Sequence, residues 1–420
     1  MTADPRPLPR PAEGTFAADF GDETVVLVQA RRQAHRLNRS AAAIWRACDG
    51  ASDLERITER VADAFSTTPA VVAGDVRRTV ATLTELGLLA ADEHDRRPGA
   101  HGLDEGGASA VEVGAGGPHD PPGSPPPGTP PAGDVGALET LGPYAGLGHT
   151  FVVRLADGPL RRYLAHVLRE LETDRHPAEH VYTVVSDGVL TWLLVDGEPR
   201  SRFTDDTRVA AYLEWHVNQG AIASPEGSVV LHASGVSMRG RVVAMPAPMD
   251  AGKSTLVTAL VRRGLDYVTD EALAFDPTSL AVRPYPKAVT LEPGSFAVFP
   301  ELEPTDPDHL PYLADRWRLL PSDIRPGARV AAGTLVGVVS PRYQAGTGCT
   351  VEHLAPADAF LLLLENTFEA SLADEVCLTA LVRVARRVPC LRVVYSDLDE
   401  VGAVVHEVLG TRPADAGLLR

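Results

Sequence analysis

The stretch RRPGAHGLDEGGASAVEVGAGGPHDPPGSPPPGTPPAGDVG divides the chain more sharply than any other feature. Pro, Gly, Ala and Asp dominate it, and large aliphatic or aromatic side chains are almost absent. Such a run cannot bury enough apolar surface to offset the entropy of ordering it. It is expected to be a disordered tether over residues 94–146, with a folded module on each side. The modules would span residues 15–93 and 147–412, with short tails at 1–14 and 413–420. A chain of 420 residues suits two or three domains.

The charge balance narrows the partners. Formal net charge is −17, and phosphate backbones are held chiefly by Lys and Arg, so general nucleic-acid binding is not expected. Cys48, Cys349, Cys377 and Cys390 form no C-x-x-C pair, which reads as reduced thiols and neither a disulfide nor a zinc framework. The start, MTADPRPLPRPAEG, lacks the apolar core of a signal peptide. No apolar run nears the roughly 20 residues that span a bilayer; AFLLLLENTF is too short. A cytoplasmic protein without a membrane partner is expected.

The first module reads as TFAADF, ETVVLVQA and QAHRLN, three short strands, followed by three helices. RSAAAIWRACDG ends on Gly50, a C-cap residue. SDLERITERVADAFS spaces Leu54, Ile57, Val61 and Phe65 along one face, with Ser52 and Glu55 as a capping box. PAVVAGDVRRTVATLTELGLL aligns Val72, Val76, Val80, Leu83 and Leu86 before Gly87. A three-stranded sheet with three helices is a winged-helix-like arrangement. Its last helix carries only Arg77 and Arg78 as cations, beside Asp75 and Glu85, too sparse a basic footprint for a DNA reader.

The second module is mixed α/β, and its chemistry centres on MPAPMDAGKSTL. Phosphate-binding loops follow G-x-x-x-x-G-K-[ST], between a strand and a helix. Here the strand GRVVAMP precedes and STLVTALVRRG follows, but Ala247 stands at the first glycine position. Alanine is a mild departure if its φ is negative and a costly one if positive. Pro248 also removes one possible donor. Lys253 would sit on the β- and γ-phosphates. The amides from Ala251 through Gly252 to Thr255, with Asp250 beside them, would cradle them, and Ser254 would bind Mg²⁺. YVTDEALAFD then places Asp270 and Glu271 at the end of an apolar run, where an acid can hold the metal and another can accept a proton. Adjacent strand residues face opposite ways, so both serve one site only if the strand ends or bulges there.

With LHASGV before the loop, this order resembles the HPr kinase/phosphorylase family and its relatives, over about residues 148–410. RPYPKAVTL, VVSPRYQAG and LRVVYSDLDEV are similar to later segments of those kinases. The resemblance implies a P-loop kinase fold of that type, ATP or another nucleoside triphosphate with Mg²⁺, and ring-like homo-oligomers. Carried over, Asp270 is the catalytic base, Glu271 a metal ligand and His232 a group behind them. Lys287 and Arg342 are candidate cations for the transferred phosphoryl group. Departures are Glu271, a small one, and Ala247, a larger one. Taken alone, His232 in an apolar strand reads as a core histidine, His216 as structural, and Cys349 as incidental.

The first module resembles the PqqD family, through RLNRSAAAIWRACDG and DVRRTVATLTELGLL. Such domains bind leader peptides of ribosomally made, modified peptides. The resemblance implies strand addition to the edge Gln33–Asn38, along Gln33, His35 and Leu37, with the helix from Asp75 to Leu88 beneath. Arg77 and Arg78 would meet acidic leader side chains. Together the two modules read as an ATP-dependent kinase acting on a Ser or Thr hydroxyl of a leader-bound peptide, with other peptide-modifying enzymes as possible partners. Two other readings stay open: a non-catalytic peptide chaperone with a degenerate nucleotide site, and a small-molecule kinase or ATPase.

Overall fold

The computed structural model describes residues 8–90, 108–112, 128, 130, 138–175, 177–224, 226–313 and 315–410. It divides into two compact units, Met1–Gly114 with Ala355–Glu365, and Ala115–Leu354 with Asn366–Arg420.

The small unit begins with the three expected strands, β1 (Thr15–Phe20), β2 (Glu23–Val28) and β3 (Gln33–Asn38). Helices α1 (Arg39–Ala47), α2 (Leu54–Ala64) and α3 (Pro69–Glu85) follow. Asn38 caps α1 by accepting from the Ala41 amide at 2.9 Å. Asp53, not Ser52, caps α2, accepting from the Arg56 amide. Both residue types suit an N-cap, and the aspartate stands one position nearer the first turn. Val26, Val28 and Leu37 on one face of the sheet pack with Ile44, Trp45, Ile57, Val76 and Leu83 from the helices. This is the unit's core.

Two features depart from expectation. A fourth strand, β4 (Ala108–Glu112), pairs antiparallel with β3, so the sheet runs β1-β2-β3-β4. It comes from the tether that composition marks as disordered. Composition averages over the tract and hides ASAVEV, its one short run of strand-forming alternation. The second addition is a helix from far along the chain, Pro356–Glu365, expected in the second module. Its apolar residues are buried on all sides, as an all-round hydrophobic helix requires. Phe360 meets Phe16 and Phe20 of β1, and Asp358 pairs with Arg36 of β3. The sheet thus has α1–α3 on one face and this helix on the other.

The large unit opens earlier than expected, at β5 (Glu139–Gly146), inside the tract assigned to the tether. The apolar residues Leu141 and Tyr144 are buried there, which a Pro/Gly count does not weigh. β5 heads a five-stranded sheet with β6 (His149–Leu155), β7 (His180–Ser186), β8 (Thr191–Val195) and β9 (Glu198–Phe203). The expected tight hairpin joins β7 to β8, where the Asp187 carboxylate accepts from the Val189 and Leu190 amides at 2.8 Å. Helices α4 (Pro159–Val167) and α5 (Asp206–Ala223) pack on this sheet through Leu160, Leu164, Val209 and Leu213.

The second sheet holds the site. Strands β10 (Val229–Met238) and β11 (Arg241–Pro246) pair antiparallel, and α6 (Lys253–Arg262) follows β11. The run expected as a single strand, DYVTDEALAFD, is two: β12 (Asp266–Thr269) and β13 (Ala272–Phe275), both on β10. Then come β14 (Ala281–Arg283), β15 (Val289–Leu291), the short α7 (Pro293–Phe296), β16 (Trp317–Leu319) and the short α8 (Pro321–Ile324). Next are β17 (Gly333–Tyr343) and β18 (Thr350–His353). The helix of the small unit is α9 (Pro356–Glu365), and α10 (Glu369–Leu372), α11 (Glu375–Arg387), β19 (Cys390–Tyr395) and α12 (Leu398–Val408) close the chain. β11, β17 and β19 run parallel, with Leu256, Leu260, Val401 and Val405 of α6 and α12 in the core they build. Among the described residues no helix is long and apolar enough to cross a membrane, and all four cysteines are free.

Candidate functional site

The turn between β11 and α6 is shaped by two residues in left-handed conformation, Asp250 (φ 62°) and Gly252 (φ 88°). Gly252 is the N-cap of α6, and a Cβ there would stand 3.1 Å from the Tyr395 hydroxyl. Glycine is needed on both counts. Ala247 is fully buried and keeps a negative φ, so alanine at that position carries no backbone strain. The left-handed residue falls three positions later, on Asp250, a residue type that accepts it better than most. Ala251 touches the end of β17, its carbonyl accepting from the Tyr343 amide at 3.3 Å.

Lys253 opens α6 and is only 8% exposed. Its ammonium donates to the carbonyls of Ala247 at 2.5 Å and Pro248 at 2.8 Å. Burial lowers its pKa, opposed by Asp270, Glu271 and Asp250. Ser254 follows in the first helical turn and donates to Asp270 Oδ2 at 3.0 Å. Thr255 bonds the Ser295 hydroxyl at 2.6 Å.

Asp270 and Glu271 occupy the gap between β12 and β13. The break lets both side chains reach one site, which a continuous strand forbids. Asp270, 6% exposed, also accepts from Ser234 of β10 at 3.0 Å and from the Thr290 amide at 3.4 Å. Burial raises its pKa, against the pull of Lys287. Glu271 lies 3.3 Å from the Lys287 ammonium. Against the cost of burial, Lys287 and then His232 hold its carboxyl below the usual range. His232 is pushed down to about 4, first by burial and then by Lys253.

These groups share a cavity of about 1550 Å³, lined by His232, Asp250, Gly252, Lys253, Ser254 and Thr255, and by Asp270, Glu271 and Lys287. Arg342 is not among its lining residues; it is exposed near the end of β17, and the neighbouring Tyr343, also exposed, lines the cavity mouth instead. Sequence reading missed Ser234, which orients Asp270, and the far wall of the cavity. There Arg318 of β16 pairs with Glu214 of α5 at 2.8 Å, and Tyr163 of α4 donates to the same carboxylate at 2.8 Å. No local signal joins residues so far apart in the chain.

Among the described residues no cluster of three His, Cys, Asp or Glu forms a metal cage. Ser254 Oγ and the Asp270 carboxylate together fit Mg²⁺, which commonly takes one or two carboxylates and completes its shell with water and substrate phosphates. Ser254 thus pairs with Asp270, where the sequence reading gave the metal to Glu271.

In the small unit, the assigned peptide residues divide. Gln33 is half-buried on β3, whereas Leu37 is fully buried in the helix-facing core, so its side chain packs the fold. The strand's pleat puts it there: Leu37 pairs with Thr24, and both face inward. His35 is 1% exposed, and neither ring nitrogen has a hydrogen-bond partner among the described residues. Burial lowers its pKa, with Arg31 adding to the effect. Arg77 and Arg78 are exposed on α3, Arg78 paired with Asp75.

Residues 23–89 match the model of the family described as Coenzyme PQQ synthesis protein D (PqqD). Among curated proteins, none matches this chain. The N-terminal unit therefore carries a PqqD-type domain over residues 23–89.

Proposed function

We propose that the chain is an ATP-dependent kinase that phosphorylates a Ser or Thr hydroxyl of a ribosomally made peptide held through its leader by the PqqD-type domain. The observation that carries this reading is the meeting of Lys253, Ser254, Asp270 and Glu271 at the N-terminus of α6. Helix N-termini favour anions, and a lysine, a hydroxyl and two acids are the groups phosphoryl transfer uses. The cavity supports it too: at about 1550 Å³ it exceeds the roughly 300–1,000 Å³ of a single-ligand pocket, leaving room for an acceptor.

In this reading Lys253 turns from its carbonyl partners to the phosphates. Bound Mg²⁺, held by Ser254 and Asp270, would supply neutralising charge on the phosphate oxygens. Asp270 is enclosed by Ser234 and Ser254, so the more accessible Glu271 is the proton acceptor. Its lowered pKa keeps it ionised at neutral pH. The acceptor oxygen forms a bond to the γ-phosphorus and its proton passes to Glu271. The bond from the γ-phosphorus to the bridging oxygen breaks, and ADP leaves. His232, neutral at that pH, adds no third positive charge to the field of Lys253 and Lys287.

Calorimetric titration of Mg-ATP into wild type and Lys253→Ala tests the nucleotide site. Binding lost in the variant supports it. No binding by wild type leaves a presenting chaperone as the reading.

A further inference from the structure

The surface left over by the kinase reading is the β3 edge of the small sheet. Its backbone groups are paired with the chain itself, from Gln33 opposite Glu112 to Leu37 opposite Ala108. We propose that residues 108–112 are a built-in occupant of this edge, which an extended peptide must displace to bind. The inference rests on the peptide-binding half of the proposed function.

Three observations carry it. The pairing is antiparallel and covers five successive positions, the geometry by which a foreign strand joins a sheet. The occupant is a poor competitor by composition: ASAVE offers one large apolar residue and is flanked by Gly106, Gly107 and Gly114, which lose the most freedom on ordering. It therefore covers edge groups that would otherwise invite aggregation, without sealing them against a better strand. Finally, the register sets Ala110 opposite His35, whose buried ring lacks any hydrogen-bond partner among the described residues. Alanine has no polar side-chain atom to offer. A strand with a hydroxyl or carboxylate at that register gains a bond that the resident strand cannot make.

The test uses the full chain and the variant Ala110→Pro/Val111→Pro. Proline donates no ladder hydrogen bond, so β4 is lost whichever of the two positions faces β3. The probe is a synthetic peptide of residues 104–116. Two readouts are taken: exchange of the alternate amides within residues 34–37 that point to β4 and are not held by β2, and calorimetric binding of the probe. In wild type the amides should be protected and the probe bind poorly, because a tethered strand competes at high effective concentration. In the variant the amides should exchange freely, the probe should bind at least about tenfold more tightly, and protection should return on adding it. Equal affinity for both proteins overturns the proposal, as does a variant that keeps its protection or one that fails to bind the probe. Neither readout involves nucleotide, so failure here and failure of phosphoryl transfer are separate results.

Discussion

In the proposed function the small unit would offer a partner the backbone N–H and C=O groups along β3, and the large unit side chains gathered at the start of α6. The first arrangement depends on a whole pattern of strand and helix positions holding an edge in place. Such a pattern extends over many residues, and a family model captures it at residues 23–89. The second depends on a handful of residues from β10, the α6 start, the β12–β13 gap and the segment before β15. These come together only through the pairing of β10 with β12 and β13 and the turn that opens α6. A recognition surface is thus written across its domain, while a charge cluster is written in few letters.

Substitutions can break this contrast. The largest effect is expected from Lys253→Ala, which should abolish Mg-ATP binding and transfer while the small unit keeps its fold; calorimetry with circular dichroism checks both. Glu271→Gln should retain Mg-ATP binding and lose about 10²–10⁴-fold in transfer rate, the range of a lost general base. Asp270→Asn should instead remove the Mg²⁺ dependence of nucleotide binding. The reverse pattern would return the base to Asp270, as the sequence alone suggested.

Leu37→Ala should cost about 2–5 kcal/mol, seen in urea unfolding of the small unit, because the side chain fills the core. An exposed peptide contact would cost almost nothing in the free protein. Asp270→Asn also has a stability signature. Burial raises the Asp270 pKa, so the fold favours the protonated form. Its contribution is fully present below the unfolded value near 3.8 and is lost as pH rises through the raised folded value. The variant should melt higher than wild type at neutral pH, and the gain should vanish in acid; melting curves against pH read this directly. The smallest effect is expected from Ala247→Gly. With φ already negative, glycine relieves nothing, and the nucleotide Kd should change by less than about threefold.

Much of the fold was legible because periodicity is local. The three first strands, the three helices after them, the Asp187 hairpin, and the strand, turn and helix around Gly252 follow from spacing and turn chemistry. The candidate residues were legible as types: a lysine and serine after a glycine, two adjacent acids after an apolar run. Their division of labour was not. Ser234 lies far from Asp270 in sequence, and only the pairing of β10 with β12 and β13 brings its hydroxyl to that carboxylate. Arg342 was legible as a cation but not by its place: on β17 it is the adjacent Tyr343 that lines the cavity.

By itself the sequence determined a PqqD-type module near residues 23–89 and mixed α/β structure after it, because composition and pattern are properties of neighbouring residues. It also determined that Lys253, Ser254, Asp270 and Glu271 were the chemistry to watch. Tertiary structure alone decided that the acids sit in a strand break, that Ser254 pairs with Asp270, and that Ala247 carries no strain. It alone put β4 on the β3 edge and the Pro356–Glu365 helix on the opposite sheet face. Strand pairing and burial join residues distant along the chain, and no local period encodes which distant partner a segment finds.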